Sequence, residues 1–473
     1  MPKEDNFIVA IELGSSKVTA IAGRKESDGA IQILAYAQEP SESFIRKGRI
    51  NNFTKMNACL KELKRKLETT LQKSISAAYV GIGGMGMHTV GNTVKRSLGE
   101  KQIITDDIVN HIKEANSASN GDRVILDVIP QDYKLGAQTV SDPVGIAADS
   151  IEGHFLNIVA KPEEVIKCFH EAGLSVVGRP ISVLALADAM LTEPEKRSGC
   201  VFVDMGAETT SVAVYKNNIL RHLAVIPLGG ASVNRDICTL QIEDSEAEAL
   251  KCKYASACYV EGEEDKDPIA LKDGRSVKFE EFGGLVEARM EEIISNISNQ
   301  IKLSNYGKSE LIAGIIITGG ASNMEHTDKA FTQFTGFDKV RFVKSLKLQH
   351  RLSSRNGSFN SDGSYNTAIA LIDKGEFNCC GGEIGNDSTL FPEDTDTTQA
   401  TTQFTTPAGT QTLSPTGTTA ATAAAEAPVE EPKPEKPKKP GWFKKMFNQV
   451  KDIAETMVSD EERFEKNNEK SEK

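Results

Sequence analysis

No run of about 18 apolar residues occurs in the chain, so no segment is expected to cross a membrane as a helix. The eight cysteines (59, 168, 200, 238, 252, 258, 379 and 380) include no Cys-x-x-Cys pair and no Cys/His spacing suited to zinc. That excludes a zinc module and fits scattered thiols in a reducing cytoplasm. The seven histidines are dispersed, and no Ser/His/Asp triad is suggested. Basic charge is the minority sign: 55 Lys plus Arg against 67 Asp plus Glu give a net −12, which excludes a general nucleic-acid binder. The opening MPKEDNF lacks the layout of a secretory leader. Residues 379–440 are rich in Thr, Ala, Pro and Gly and hold no basic residue before Lys433. Such a stretch cannot offset its ordering entropy by burial, so it reads as a flexible linker. A glycosylated stalk would also fit the composition, but it needs a secretion signal. The remainder is long enough for several domains and a large core.

What is present is a repeated pattern. Val201-Phe202-Val203 runs into Asp204, then Gly206, then Thr209, Thr210 and Ser211, before Val212-Ala213-Val214-Tyr215 resumes. The N-terminus does the same: Ile8-Val9-Ala10-Ile11, Glu12, Gly14, Ser15, Ser16, Lys17, then Val18-Thr19-Ala20-Ile21. Asp204 and Gly206 each follow Glu12 and Gly14 by 192 residues (204 − 12, 206 − 14). β-branched runs around a glycine turn read as hairpins. An acid at a strand end can hold Mg²⁺ directly or through water, and turn amides with hydroxyls can hold phosphate oxygens. Taken alone, the Cys200–Tyr215 stretch reads as an ordinary edge hairpin. Two copies suggest a duplicated α/β core whose turns clamp a polyphosphate from both sides. These residues resemble the actin, sugar-kinase and heat-shock-70 ATPase superfamily.

The spacing predicts a helix over Lys55 to Leu71 and strands at Ile31–Ala35 and Ala77–Ile82. A different pattern fills about Met85 to Gly153, with Thr105 as a helix N-cap and a strand at Val124–Ile129 that Pro130 should stop. Further helices are expected at Glu163–Ala172, Leu184–Leu191, from Val233, at Ser245–Tyr254, Phe282–Leu303 and Tyr365–Asp373. Two more clusters could reach the same cleft. Glu248 and Lys251 lie three apart on one helical face and could meet a ribose and base; a surface ion pair is the plain alternative. Thr318-Gly319-Gly320-Ala321-Ser322 lacks bulk after a strand, so its backbone could approach a purine; a plain strand-to-helix turn is the alternative. Glu12 and Asp204 are the acids suited to a general-base or metal-water role. Near the C-terminus Trp442, Phe443, Met446, Phe447, Val450 and Ile453 share one helical face beside Lys444, Lys445 and Lys451. That pattern suits an interfacial anchor on anionic lipid, or a helix that packs back on the domain.

The chain resembles the FtsA family of bacterial cell-division proteins. The likeness is carried by Ile11-Glu12-Leu13-Gly14-Ser15-Ser16-Lys17-Val18, by Ser245 to Lys251, by Thr318-Gly319-Gly320-Ala321 and by Tyr365-Asn366-Thr367-Ala368. Most discriminating are Ile129-Pro130-Gln131 and Pro143-Val144-Gly145, since sugar kinases and heat-shock-70 proteins lack this insertion. The resemblance implies an actin-like, duplicated two-lobed α/β fold: a first lobe (1–84 and 154–200), an α+β insertion (85–153), and a second lobe (201–236 and 304–376) with an outer subdomain (237–303). A linker (377–440), an amphipathic helix (441–458) and a charged tail (459–473) follow. It implies ATP and Mg²⁺ in the cleft, with Gly14 to Lys17 and Gly206, Ala207, Glu208 and Thr209 at the phosphates and Glu248, Lys251 and Gly319 to Ser322 at the nucleoside. It implies filaments, membrane attachment at the inner face of the cytoplasmic membrane, tethering of FtsZ through about residues 237–303, and recruitment of late division proteins. Ala207 and Glu208 stand where the family's second phosphate loop has glycines, and Ser211 where it has an acid. Glu208 would repel a triphosphate unless it faces away or holds Mg²⁺, and at most weak hydrolysis is expected. A soluble sugar-kinase-like phosphotransferase and a heat-shock-70-like chaperone are the rival readings.

Overall fold

The computed structural model describes residues 6–380, apart from 27–28, 118–122, 162–164, 259–266, 348–351 and 355–362. The expected linker (377–440) is corrected at its start: Cys379 and Cys380 are buried in the first lobe's core and Cys379 N–H donates to Phe7 O at 2.7 Å; the rest of the linker, the amphipathic helix and the charged tail lie outside the described residues.

The chain opens with strands β1 (Phe7–Leu13), β2 (Lys17–Lys25) and β3 (Ile31–Pro40), a small ribbon β4 (Ile45–Arg46) and β5 (Arg49–Ile50), helix α1 (Phe53–Leu71) and β6 (Ala77–Gly81). Met56, Leu60, Leu63 and Leu67 bury one face of α1, and Asn52 caps it by accepting the Lys55 N–H. The insertion follows: β7 (His88–Ile103), α2 (Asp106–Ser117), β8 (Val124–Leu135), β9 (Gln138–Val140) and β10 (Ala147–Ala160). Then come α3 (Val165–Glu171), β11 (Ser175–Gly178), α4 (Ser182–Met190) and α5 (Glu193–Ser198). The second lobe holds β12 (Cys200–Met205), β13 (Thr210–Lys216), β14 (Ile219–Ile226), α6 (Gly230–Cys238), α7 (Asp244–Tyr254), β15 (Ile269–Ala270), β16 (Ser276–Val277), α8 (Phe279–Leu303), β17 (Gly314–Thr318), α9 (Thr327–Thr335) and β18 (Val340–Phe342). Finally β19 (Leu352–Ser354) and α10 (Asn366–Lys374) return to the first lobe, so the second lobe does not run on to 376 as expected: β19 pairs with β3, and Ala368 to Ile372 bury in the first lobe's core.

The duplication extends well beyond the two turns. One sheet runs β11-β6-β1-β2-β3-β19; the other begins β18-β17-β12-β13-β14, the same order for five strands. Registers repeat too: Glu12 pairs with Thr19 and Gly81, and Asp204 with Ser211 and Thr318. Strand β12 is buried on both faces. Cys200 and Phe202 enter the first lobe's core, while Val201, Val203 and Met205 enter the second's, as the two-residue strand period requires. At the lobe junction Asp188 of α4 binds Lys196 of α5 at 2.5 Å and Lys374 of α10 at 2.6 Å.

The second sheet does not end at β14. It continues through β7, β10, β8 and β9 of the insertion, joined by the pair Ala224–His88. Val225 N–H donates to Met87 O, Leu223 N–H to the Thr89 hydroxyl, and Arg221 to Gln131 Oε1. The insertion is thus spliced into the first lobe's chain but hydrogen-bonded to the second lobe. Pro130 does not stop β8, contrary to expectation. The β8–β10 register shifts between His154 and Phe155, and Pro130 lies opposite Phe155 at that irregularity. A bulge is where a strand tolerates a residue without an N–H.

Candidate nucleotide cleft

Glu12 and Asp204 end equivalent strands of the two lobes, and both line one cavity of ≈1070 Å³. Gly14, Ser15, Ser16, Lys17, Gly206, Ala207, Glu208, Thr209, Glu248, Lys251, Gly319, Gly320, Ala321 and Ser322 line it as well. Every expected cleft residue is therefore gathered at one place. The expected lipid-facing residues, Trp442 to Ile453, lie outside the described residues.

Burial pushes the Glu12 carboxyl up to about 7; the nearby Asp204 charge adds to this, against a Thr367 hydrogen bond and Lys17. Burial alone lifts Asp204 to about 6. Two buried carboxylates, one raised further by the other's charge, are under-neutralised. A divalent ion that keeps several waters and binds through one or two carboxylates fits this donor set. Among the described residues, no group of three His, Cys, Asp or Glu side chains could hold a metal unaided. Ligand oxygens would have to complete the shell.

The turns are tightly built. Gly206 N–H donates to Thr209 O at 2.8 Å, and Ser41 ties down the first turn by donating to Gly14 O at 2.6 Å. The first amides of α6 are spent on the second turn: Gly230 N–H to Gly206 O and Ala231 N–H to Ala207 O. Gly319 sits at φ +93°, and a Cβ there would lie 2.4 Å from Met205 O and 2.6 Å from Asp204 Oδ1. Only glycine fits both that conformation and that space.

On the far wall Lys251 pairs with Glu248 at 2.6 Å, and Asn234 Nδ2 donates to the same Glu248 oxygen. Burial raises the Glu248 carboxyl, but Lys251 and Asn234 outweigh it and hold it below its ordinary value. Asn234 is 5 % exposed, and its Oδ1 has no hydrogen-bond partner among the described residues. An orphaned buried acceptor at a cavity wall is unusual and suits a site that is completed by a ligand.

Glu208 lines the cavity with its carboxylate already engaged. Its carboxylate accepts the Lys47 N–H at 2.6 Å and meets Arg46 at 3.0 Å. The sequence reading missed Arg46, Lys47, Asn234 and Thr367. Thr367 could have been found, because it stands in the Tyr365–Ala368 run that carried the resemblance. The others have no signal outside the folded chain.

The comparisons with known proteins agree with this geometry. A family model described as "Cell division protein FtsA" matches residues 201–370, and one described as "SHS2 domain inserted in FTSA" matches residues 84–159. The cell division protein FtsA of Pseudomonas aeruginosa is 30% identical over 333 residues, covering 67% of this chain and 78% of that protein. The FtsA of Porphyromonas gingivalis is 29% identical over 348 residues (71% and 72%), and that of Escherichia coli K12 is 27% identical over 395 residues (80% and 92%). Among solved structures, a PilM–PilN type IV pilus biogenesis complex matches with a TM-score of 0.55 at 14% identity, covering 78% of this chain and 98% of that one. The duplicated sheets, the insertion and these likenesses converge: the chain belongs to the FtsA family of actin-like cell-division proteins.

Proposed function

We propose that this protein binds ATP with Mg²⁺ between its lobes, polymerises, and ties the FtsZ ring to the inner face of the cytoplasmic membrane at the division site. The observation that carries the nucleotide part is the meeting of Glu12 and Asp204, with their glycine turns, at one cavity. Glu12 and Asp204 would hold the ion or its waters. The two turns would hold the phosphates, and Glu248, Lys251 and Gly319 to Ser322 the nucleoside. When bound, Mg²⁺ would supply charge neutralisation at the phosphate oxygens. Gln and Asn substitutions at the acids would remove that function without removing shape.

Family membership supports division-machinery partners in general; the partners of this reading are FtsZ by way of about residues 237–303, further copies of the chain in a filament, anionic lipid, and later division proteins. Among the described residues no helix is long and apolar enough to cross a membrane. The segment with an amphipathic pattern is 441–458, with three large aromatics beside lysines. One interfacial helix binds lipid modestly, so polymerisation would raise attachment through avidity. The test is co-sedimentation with anionic liposomes. Trp442→Glu with Phe447→Glu is expected to leave the protein in the supernatant while nucleotide binding persists. Undiminished pelleting with lipid would remove the anchor from the proposal. Electron microscopy on lipid monolayers, with and without ATP, should show filaments with the wild type alone.

A further inference from the structure

Glu208 occupies a glycine position of the second turn, yet its carboxylate is engaged across the cleft. Oε2 accepts the Lys47 backbone N–H at 2.6 Å, and Oε1 faces Arg46 Nη1 at 3.0 Å. The Glu208 side chain is 14% exposed and that of Arg46 is 61% exposed. The Arg46 contact is therefore a screened surface pair of small worth. The amide contact is a sheltered, charge-assisted hydrogen bond, the stronger kind.

Its receiving end is preset. Lys47 (φ 50°) and Gly48 (φ 73°) form a left-handed pair at the tip of the β4–β5 ribbon, the conformation of a type I′ turn. Three contacts fix that tip. Gly48 N–H donates to the Ser15 hydroxyl at 2.8 Å. Met85 N–H donates to Lys47 O at 2.8 Å. Gly48 packs so closely on Gly84 that a Cβ would lie 2.5 Å from its Cα. The Lys47 amide thus waits in place on the first lobe, fastened to the first hairpin's turn and to the chain leading into the insertion. No local rearrangement is needed to receive the carboxylate.

We propose that Glu208 is a latch. It fastens the second lobe's turn to the first lobe's β4–β5 turn, so that the protein's own carboxylate holds the cleft shut. Here closure is built into the chain, and it does not depend on the nucleotide reading above.

The experiment uses the full-length chain without nucleotide. Hydrogen exchange is followed at the Lys47 amide, and spin labels on Lys61 of α1 and Glu280 of α8 report the separation of the lobes. Glu208→Ala is expected to speed Lys47 exchange by about tenfold or more and to lengthen and broaden the label distances. Glu208→Gln, which keeps an uncharged acceptor, should fall between. Arg46→Ala should change exchange by less than threefold. Unchanged β12 amides certify that each variant is folded. Lys47 exchange within twofold of wild type in Glu208→Ala would overturn the latch, as would faster exchange with the label distances unmoved. ATP binding is titrated on the same samples. A wild-type chain that binds no nucleotide would sink the proposed function, while the exchange and distance data still decide the latch.

Discussion

Asp204→Asn is expected to weaken Mg²⁺-dependent ATP binding by about 100-fold or more, and also to stabilise the ligand-free chain above pH 7. Both effects come from one cause. The carboxylate is buried, pushed from 3.8 up to about 6, and crowds Glu12, itself pushed from 4.5 to about 7. A folded-state pKa above the unfolded value means the folded chain holds a proton the unfolded chain has lost. Stability is then greatest at low pH, falls as pH rises between roughly 4 and 7, and stays low above that window. Asparagine removes the charge and its desolvation cost, for a gain on the order of 2–3 kcal/mol at pH 8. It would also remove one of the two carboxylates proposed to hold Mg²⁺ or its waters, and losing one partner of a buried charge pair costs about 3–5 kcal/mol. Urea unfolding from pH 5 to 8, with fluorescent-nucleotide titration with and without Mg²⁺, reads both. A variant less stable than wild type at pH 8, or one that binds as tightly, would refute the assignment. Glu12→Gln should flatten the same pH profile.

Gly319→Val should damage the fold and the site together. At φ +93° a β-branched residue is strained by roughly 1–3 kcal/mol. Its Cβ would also collide with Met205 O and Asp204 Oδ1, and forced overpacking costs about 1–3 kcal/mol more. The neighbours cannot yield, because Met205 O belongs to β12, which is locked between β13 and β17. A drop of about 3 kcal/mol or more in unfolding free energy is expected, with nucleotide binding lost even in the folded fraction. Gly320→Ala is the control for the fold: a Cβ there meets no protein atom within 4 Å, so unfolding free energy should be nearly unchanged. Equal damage from both substitutions would mean that close approach at Gly319 is not what matters.

The parts legible in the sequence were those that local chemistry fixes. The acid, glycine and hydroxyl order of the two hairpins gave the duplicated turns, and helical spacing gave α1, α7, α8 and α10. What escaped depends on tertiary contact. Strand β7 alternates among exposed and half-buried residues and has no apolar run to betray it. Strand β14 carries Arg221 and His222 mid-run, which become strand residues because Gln131 and Gln300 receive them. Pro130 misleads because a bulge opposite Phe155 absorbs its missing donor. Glu208 could be read as a disturbance to phosphate binding, but not as a partner for Lys47. That amide is 161 residues away in sequence and is offered only by a turn whose shape other contacts impose.

The divided allegiance of the insertion has a mechanical outcome. Strands β7 and β10 run 16 and 14 residues and pair with each other along most of that length. At roughly 3.4 Å per residue such a ribbon extends about 45 Å from its root. Its root is bonded to β14 and its covalent ends leave from the opposite lobe. A pivot of about 5° at that root would carry the outer tip by about 4 Å, over the ribbon length just given. Small adjustments near the hinge would therefore reach distant neighbours as displacements the size of a side chain.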